Sequence, residues 1–392
     1  MSELFLKLLN ISIAAGWLVL AVVLLRFVLK TSPKWVRCLL WGLVALRLLL
    51  PFTIESRLSL LPSRETVQTE SVSIETPDDP TLAPGGQGTP LVYDRIVLNS
   101  GFSAVDEALN PVMAETTETM AKTGTNPTAV LKTAATVLWL VGAAAMLLYA
   151  AVSFLRMKYT VRASIELKKG VWVCDDIHDP FILGALVPRI YLPSGLDARS
   201  QAYVLAHEQA HLRRMDHLWK PLGFVLLSIH WFNPLIWIAY VLLSRDIELA
   251  CDEKVIRLLD AEGKASYSDT LLAFSRPHKA ITVCPVAFGE VGIKTRVKSV
   301  LHYKKPTTRA ILAALIAGVA VAVCFLTTPG TAKAAEAPIA DAVTATQNPK
   351  LELPKKLSVT DDREDAEPEG ADEKPVLLNA MMCLNEPCKA QD

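Results

Sequence analysis

The sequence predicts a mainly α, polytopic membrane protein: four transmembrane helices, with a cytoplasmic α+β domain between the third and the fourth. Three observations predict it. Hydrophobic residues make up 51% of the 392 and charged residues only 20%, and mean hydropathy is +0.32. Four apolar runs reach about the 20 residues that cross a bilayer. The basic turns beside those runs all fall on one side. Net charge is zero, 40 basic residues against 40 acidic, which leaves no electrostatic footprint for direct nucleic-acid binding.

Residues 1–54 read as two spans, Leu4–Leu25 and Trp35–Ile54, joined by the basic turn "RFVLKTSPKWVR". No basic leader or small-residue cleavage site marks a signal peptide. Arg47 inside the second run is expected to snorkel to an interface. Residues 55–132 turn polar, with eleven acids against five bases. They read as a loosely ordered extracellular loop, whose part from Leu91 to Met113 is amphipathic enough to dock on the membrane or the bundle. The third span is 133–155, closed by the basic "RMKYTVR". Residues 156–309 form the cytoplasmic domain, and 310–327 the fourth span. Residues 328–392, rich in Ala, Pro and charge, read as a disordered extracellular tail.

The basic clusters Lys30/Lys34/Arg37, Arg156/Lys158/Arg162 and Lys304/Lys305/Arg309 share one side if there are four spans. The positive-inside rule then puts both termini outside and 156–309 in the cytoplasm. The seven cysteines are scattered without a C-x-x-C pair, so neither a cysteine zinc ribbon nor a disulfide framework is indicated. Cys383 and Cys388 alone are close enough in sequence to pair in an oxidising compartment.

The chemistry concentrates in "YVLAHEQAHLRRMDH", which holds His207, His211 and His217 of the seven histidines. His207-Glu208-Gln209-Ala210-His211 matches H-E-x-x-H. On a helix, residues four apart share a face, so two imidazoles can grip one metal ion, with Glu208 as general base. Zn²⁺ is the expected metal, held by two histidines and a carboxylate. His217 has the spacing of a third histidine ligand, but that pattern needs a glycine where Arg214 stands. Without it the helix is expected to continue and point His217 away. The favoured third ligand is Glu248 in "DIELACDEKVI". Asp252, four residues on, would accept the N–H from the far side of a ligand histidine. The bland alternative is a solvated acidic face, with Asp246 and Glu253 nearby.

Between these ligands, 221–243 is apolar and long enough to span. A span would put His211 and Glu248 on opposite sides of the membrane, so the segment is expected to turn back at Asn233-Pro234 as a membrane-associated helical hairpin. His230 beside that break is either an interfacial polar group or a transition-state hydrogen-bond donor. "PRIYLP", with Arg189, Ile190 and Tyr191, is either an edge strand that takes substrate by strand addition or a structural strand.

The segments "PFILGALVPRIYLP", "LAHEQAHLRRMDHLWK", "HWFNPLIW", "DIELACDEKVI" and "VLHYKKP" resemble, in the same order, the BlaR/MecR-type family of integral-membrane zinc peptidases. The resemblance covers residues 1–328 and is strongest over 178–309. It implies a gluzincin-like protease domain in the cytoplasm of a bacterial cell, with zinc on His207, His211 and Glu248, base Glu208, and Asp252 behind a ligand histidine. It further implies an antirepressor that relays an envelope signal by cleaving a cytoplasmic protein such as a winged-helix repressor. Self-cleavage, in the stretch Ser275–Gly292, and association as a homo-oligomer belong to the same expectation. The tail after the fourth span is too short for the penicillin-binding domain of the best-known members, and no S-x-x-K occurs. The expectation is a member lacking that sensor. Two other readings stand beside it: a housekeeping membrane protease resembling HtpX or the CAAX prenyl proteases, and a non-catalytic adaptor that zinc stabilises.

Overall fold

The structure, a computed structural model, describes residues 2–50, 54–61, 65–74, 91–121, 127–274 and 292–328. The expected tail beyond Thr328, the expected processing stretch up to Val291, and Cys383 and Cys388 lie outside the described residues.

The chain opens with α1 (Ser2–Val28) and α2 (Lys34–Leu49), then β1 (Ile54–Glu55). β2 (Val67–Ile74) and β3 (Leu91–Leu98) form an antiparallel hairpin, followed by α3 (Ser103–Ala121) and the long α4 (Pro127–Thr160). A four-stranded sheet comes next: β4 (Ile165–Lys168), β5 (Val171–Cys174), β6 (Phe181–Leu183) and β7 (Arg189–Pro193). Six helices follow among the described residues: α5 (Ala198–Arg213), α6 (Asp216–Ile229), α7 (Pro234–Ile256), α8 (Ala261–Ala273), α9 (Ile293–Leu301) and α10 (Thr308–Leu326), with β8 (Thr327–Thr328) at the end of α10.

Three helices among the described residues are long and apolar enough to cross a membrane: α1, α4 and α10. The second expected span is α2, with 16 residues. At 1.5 Å per residue it measures about 24 Å, short of the roughly 30 Å hydrocarbon layer. It buries Leu40, Trp41, Val44 and Leu48 against α1, α6 and α7, where Leu18, Val22, Leu227, Ile236 and Tyr240 complete one apolar core. Arg47 departs from the expected interfacial snorkel. It is 4% exposed, and its Nε has no hydrogen-bond partner among the described residues. The face of α2 that carries it is turned into protein.

Segment 221–243 does not run as one helix. α6 ends at Ile229 and α7 begins at Pro234, capped by Asn233, whose side chain accepts from the Leu235 N–H at 2.9 Å. The irregular backbone at this tip is covered by protein, as a turn in an apolar setting requires. Trp139 of α4 donates to the Ile229 carbonyl at 2.7 Å, Trp231 donates back to the Trp139 carbonyl at 3.2 Å, and Asn233 donates to Ser12 of α1 at 2.9 Å. Gly142 makes the fit possible: a Cβ there would lie 2.3 Å from the Trp231 ring.

The sheet favours the structural of the two readings of the strand at 189–193. Its order is β4-β5-β7-β6, so β7 is an interior strand, parallel to β5 and antiparallel to β6. Ile190 pairs with both Val171 and Ile182. Arg189, Ile190 and Tyr191 therefore offer no free edge to a substrate. The physical reason is burial on both faces: Ile190 and Leu192 pack toward Val204 of α5, while Tyr191 packs with Val161, Cys174 and Ile177. A strand apolar on both faces belongs in the middle of a covered sheet.

Candidate metal centre

Helix α5 presents the H-E-x-x-H motif. Asp197 starts it by accepting from the Arg199 and Ser200 N–H groups. The helix does not continue past the motif as expected from Arg214. It stops at Arg213, and Met215 adopts the left-handed conformation with φ 59°, so the chain turns without the glycine. That conformation costs a non-glycine residue roughly 1–2 kcal/mol. The turn brings Asp216, first residue of α6, back onto His211 and Arg214, at 2.9 and 3.1 Å, and this pairing offsets the strain. His217 itself, one residue on, is not among the groups that converge. The helix breaks, but not toward His217.

The two motif histidines meet the second half of α7. Their Nε2 atoms lie 3.1 Å apart. Glu248 Oε2 lies 3.3 Å from His207 Nε2, and Oε1 lies 3.6 Å from His211 Nε2. All three residues are buried. Ligands of a tetrahedral zinc ion with bonds of 2.0–2.1 Å stand about 3.3 Å apart, so the spacing fits a metal. The far nitrogens agree. His211 Nδ1 faces Asp216, and His207 Nδ1 lies 3.2 Å from Asp252 Oδ1. A carboxylate can only accept, so each Nδ1 is the protonated nitrogen, which leaves both Nε2 atoms as the ones available to a metal. Glu208, the expected base, is buried beside His207 on α5.

Several groups that sequence reasoning passed over complete the site. Tyr267 of α8 donates to Asp252 at 2.7 Å and lies 3.1 Å from His207 Nδ1. Arg296 of α9 donates to both Asp252 oxygens, at 2.7 and 2.8 Å. Lys220 donates to Glu248 at 2.9 Å. The Cys251 sulfur sits 3.3 Å from His211 Nδ1 and 3.4 Å from Asp216. His211, Asp216 and Cys251 thus form a second convergent group, but it uses the nitrogen behind His211 and supports that ring. Only Asp216 carried a signal in sequence, lying within the motif stretch. Its five-residue spacing from His211 is off-face on a continuous helix, so only the turn at Met215 reveals it.

Electrostatics follow the geometry. Burial penalises the Glu248 charge, but Lys220 and the two histidines hold the carboxyl well below the usual range. Burial acts the same way on Asp252, and the Arg296 guanidinium overrides it downward. For His207, burial lowers the pKa while Asp252 and Glu248 raise it, and the carboxylates win, to about 9. An anionic pocket that stabilises added positive charge is what a divalent cation needs.

His230 is not brought to this site. It caps the far end of α6, a 14-residue helix that starts at the site, so it lies about 20 Å away at 1.5 Å per residue. At 1% exposure it packs beside the Phe232 ring, at the tip of the hairpin rather than at the histidine pair.

Comparison with known proteins decides the family. The family model described as BlaR1 peptidase M56 matches residues 6–300, about three quarters of the chain. The chain belongs to the BlaR1 peptidase M56 family. Among similar proteins, the methicillin resistance mecR1 protein of Staphylococcus aureus is 27% identical over 104 residues, 26% of this chain and 18% of that protein. The regulatory protein BlaR1 of Bacillus licheniformis is 27% identical over 159 residues, 36% of this chain and 26% of that protein. The chain thus aligns with about a fifth to a quarter of these relatives' own length. M56 membership implies a metallopeptidase, and the three apolar helices agree with a place in a bacterial membrane.

Proposed function

We propose that this M56 protein is a zinc endopeptidase that relays an envelope signal by cleaving a cytoplasmic protein, a winged-helix repressor of the kind such regulators control. The observation that carries the reading is the convergence of His207 Nε2, His211 Nε2 and a Glu248 oxygen in one buried group. A bound zinc ion would supply Lewis-acid polarisation of the scissile carbonyl and a more acidic water. Glu208 would be the base that accepts a water proton and returns it to the leaving amine. Asp252 and Asp216 keep the two rings turned so that Nε2 faces inward. Lys220 orients Glu248. A purely structural site is normally closed by four protein ligands. Three residues converge here among those described, which favours catalysis over the adaptor reading.

The proposal includes four spans, with α2 as the second, both termini outside and the metal centre in the cytoplasm. Two contacts support it. β1 after α2 pairs with β8 after α10, so both helices end on the same side. Asn10 near the start of α1 exchanges two hydrogen bonds with Val67, the first residue of β2. The metal centre lies toward the opposite ends of α1 and α2, where Arg26 and Lys34 reach α7.

Glu208→Gln tests the reading. The purified variant should keep one zinc per chain and lose cleavage of a repressor encoded beside the gene. Unchanged cleavage rejects the mechanism.

A further inference from the structure

Arg296 is the most heavily engaged side chain of the site, and it comes from the most distant element. It lies 89 residues after His207. Its Nε donates to Asp252 Oδ2 at 2.8 Å and its Nη2 to Oδ1 at 2.7 Å, a two-point fork. The other edge of the guanidinium faces the ligand group: Nη1 is 3.4 Å from Glu248 Oε2, and Nη2 is 3.3 Å from His207 Nε2. α9 is docked by Val300, fully buried in a cluster with Val255 and Ile256 of α7 and Tyr267 of α8. Arg296 is buried with it.

A carboxylate that orients a ligand histidine must itself be held. Its terminal torsion is broad and two-fold, so a single contact leaves the plane free to turn. The planar guanidinium grips both oxygens at once and removes that freedom, whereas a lysine ammonium holds one point. The same contact offsets the cost of burying Asp252 between His207 and Tyr267.

We infer that Arg296 is a positioning residue for the metal centre. By clamping both oxygens of Asp252 it fixes the carboxylate that receives His207 Nδ1–H, and so sets how tightly the ligand group holds its metal. The inference rests on the reading of His207, His211 and Glu248 as ligands. It makes α9 a wall of the site that leads directly into the apolar helix α10. A shift of α10 that undocks α9 would release Asp252 and loosen the metal.

The test measures zinc dissociation constants by chelator competition on the full chain in lipid nanodiscs. The variants are Arg296→Gln, Arg296→Lys, Asp252→Asn, and the double variant Arg296→Gln/Asp252→Asn. Outer partners of metal-bound histidines cost about 10–100-fold in affinity. Arg296→Gln should fall in that range. Arg296→Lys should recover only part, since it keeps the charge without the fork. The double variant should bind zinc no more weakly than Asp252→Asn alone. Thermal melts of each variant establish that it is folded; if Arg296→Gln is not, the same non-additivity is measured with Arg296→Lys. Zinc binding by folded Arg296→Gln within twofold of wild type, or losses that multiply in the double variant, would overturn the inference. Failure of the underlying ligand reading looks different: His207→Ala would then keep stoichiometric zinc, whatever Arg296 does.

Discussion

Helix α7 carries four buried acids, and its two faces put them to different uses. Glu248 and Asp252, four residues apart, face the histidines of α5. Asp246 and Glu253 face α1 and α2. Asp246 is 0% exposed and accepts from Arg26 of α1 and Trp41 of α2, at 2.8 and 2.9 Å. Glu253 accepts the backbone N–H of Lys34 at 2.7 Å, at the start of α2, where Pro33 offers no side-chain cap. Residues 246 and 248 lie about 200° apart around a helix of 3.6 residues per turn. One element therefore holds the histidine-facing carboxylates on one side and the contacts to α1 and α2 on the other. Neither face is the solvated acidic surface that the sequence also allowed. A movement of α1 or α2 has a direct, charged handle on the helix that carries Glu248.

The comparison can be broken at either face. Glu248→Ala should have the largest effect. It should remove stoichiometric metal and reduce cleavage by more than the 10–100-fold that an outer partner costs, as metal analysis and cleavage assays would show. Next comes Asp246→Ala. It strands Arg26 and Trp41 in a buried setting, and breaking one side of a buried pair costs about 3–5 kcal/mol. Thermal unfolding in micelles should fall accordingly while the folded fraction keeps its zinc. A parallel tenfold loss of zinc affinity would show instead that the two faces are coupled. Asp216→Asn should weaken zinc about 10–100-fold through the ring of His211, and should also lower the melting temperature, since it removes the charge that pairs with Arg214 across the turn at Met215. Glu253→Gln should cost about 1 kcal/mol, the worth of a helix cap, and leave zinc untouched. His217→Ala should change neither zinc content nor cleavage; a loss of metal there would return His217 to the ligand set.

Much of the site was legible because it is local. The spacing of His207 and His211 is a property of one helix turn, and so is the pairing of Glu248 with Asp252. The need for the chain to turn at Asn233-Pro234 followed from proline and from the demand that the two halves meet. The strand over 189–193 was legible as a strand but not as an interior one, since its neighbours at 171–174 and 181–183 are short and their order is a matter of the sheet. The turn at Met215 was hidden for a different reason. No residue there prefers φ > 0, and the conformation is stabilised by Asp216, His211 and Arg214 closing on one another.

The sequence by itself determined the apolar helices, the metal-binding motif and its separated carboxylate, because hydropathy runs and helical spacing are written in neighbouring residues. Only the tertiary structure decided which charges surround them. Asp216 and Lys220 come from α6, Tyr267 from α8 and Arg296 from α9, and of these only Asp216 lies within the motif stretch. A buried charge is stable only where its partner arrives, and the partner's arrival is a property of packing, not of any stretch of the chain.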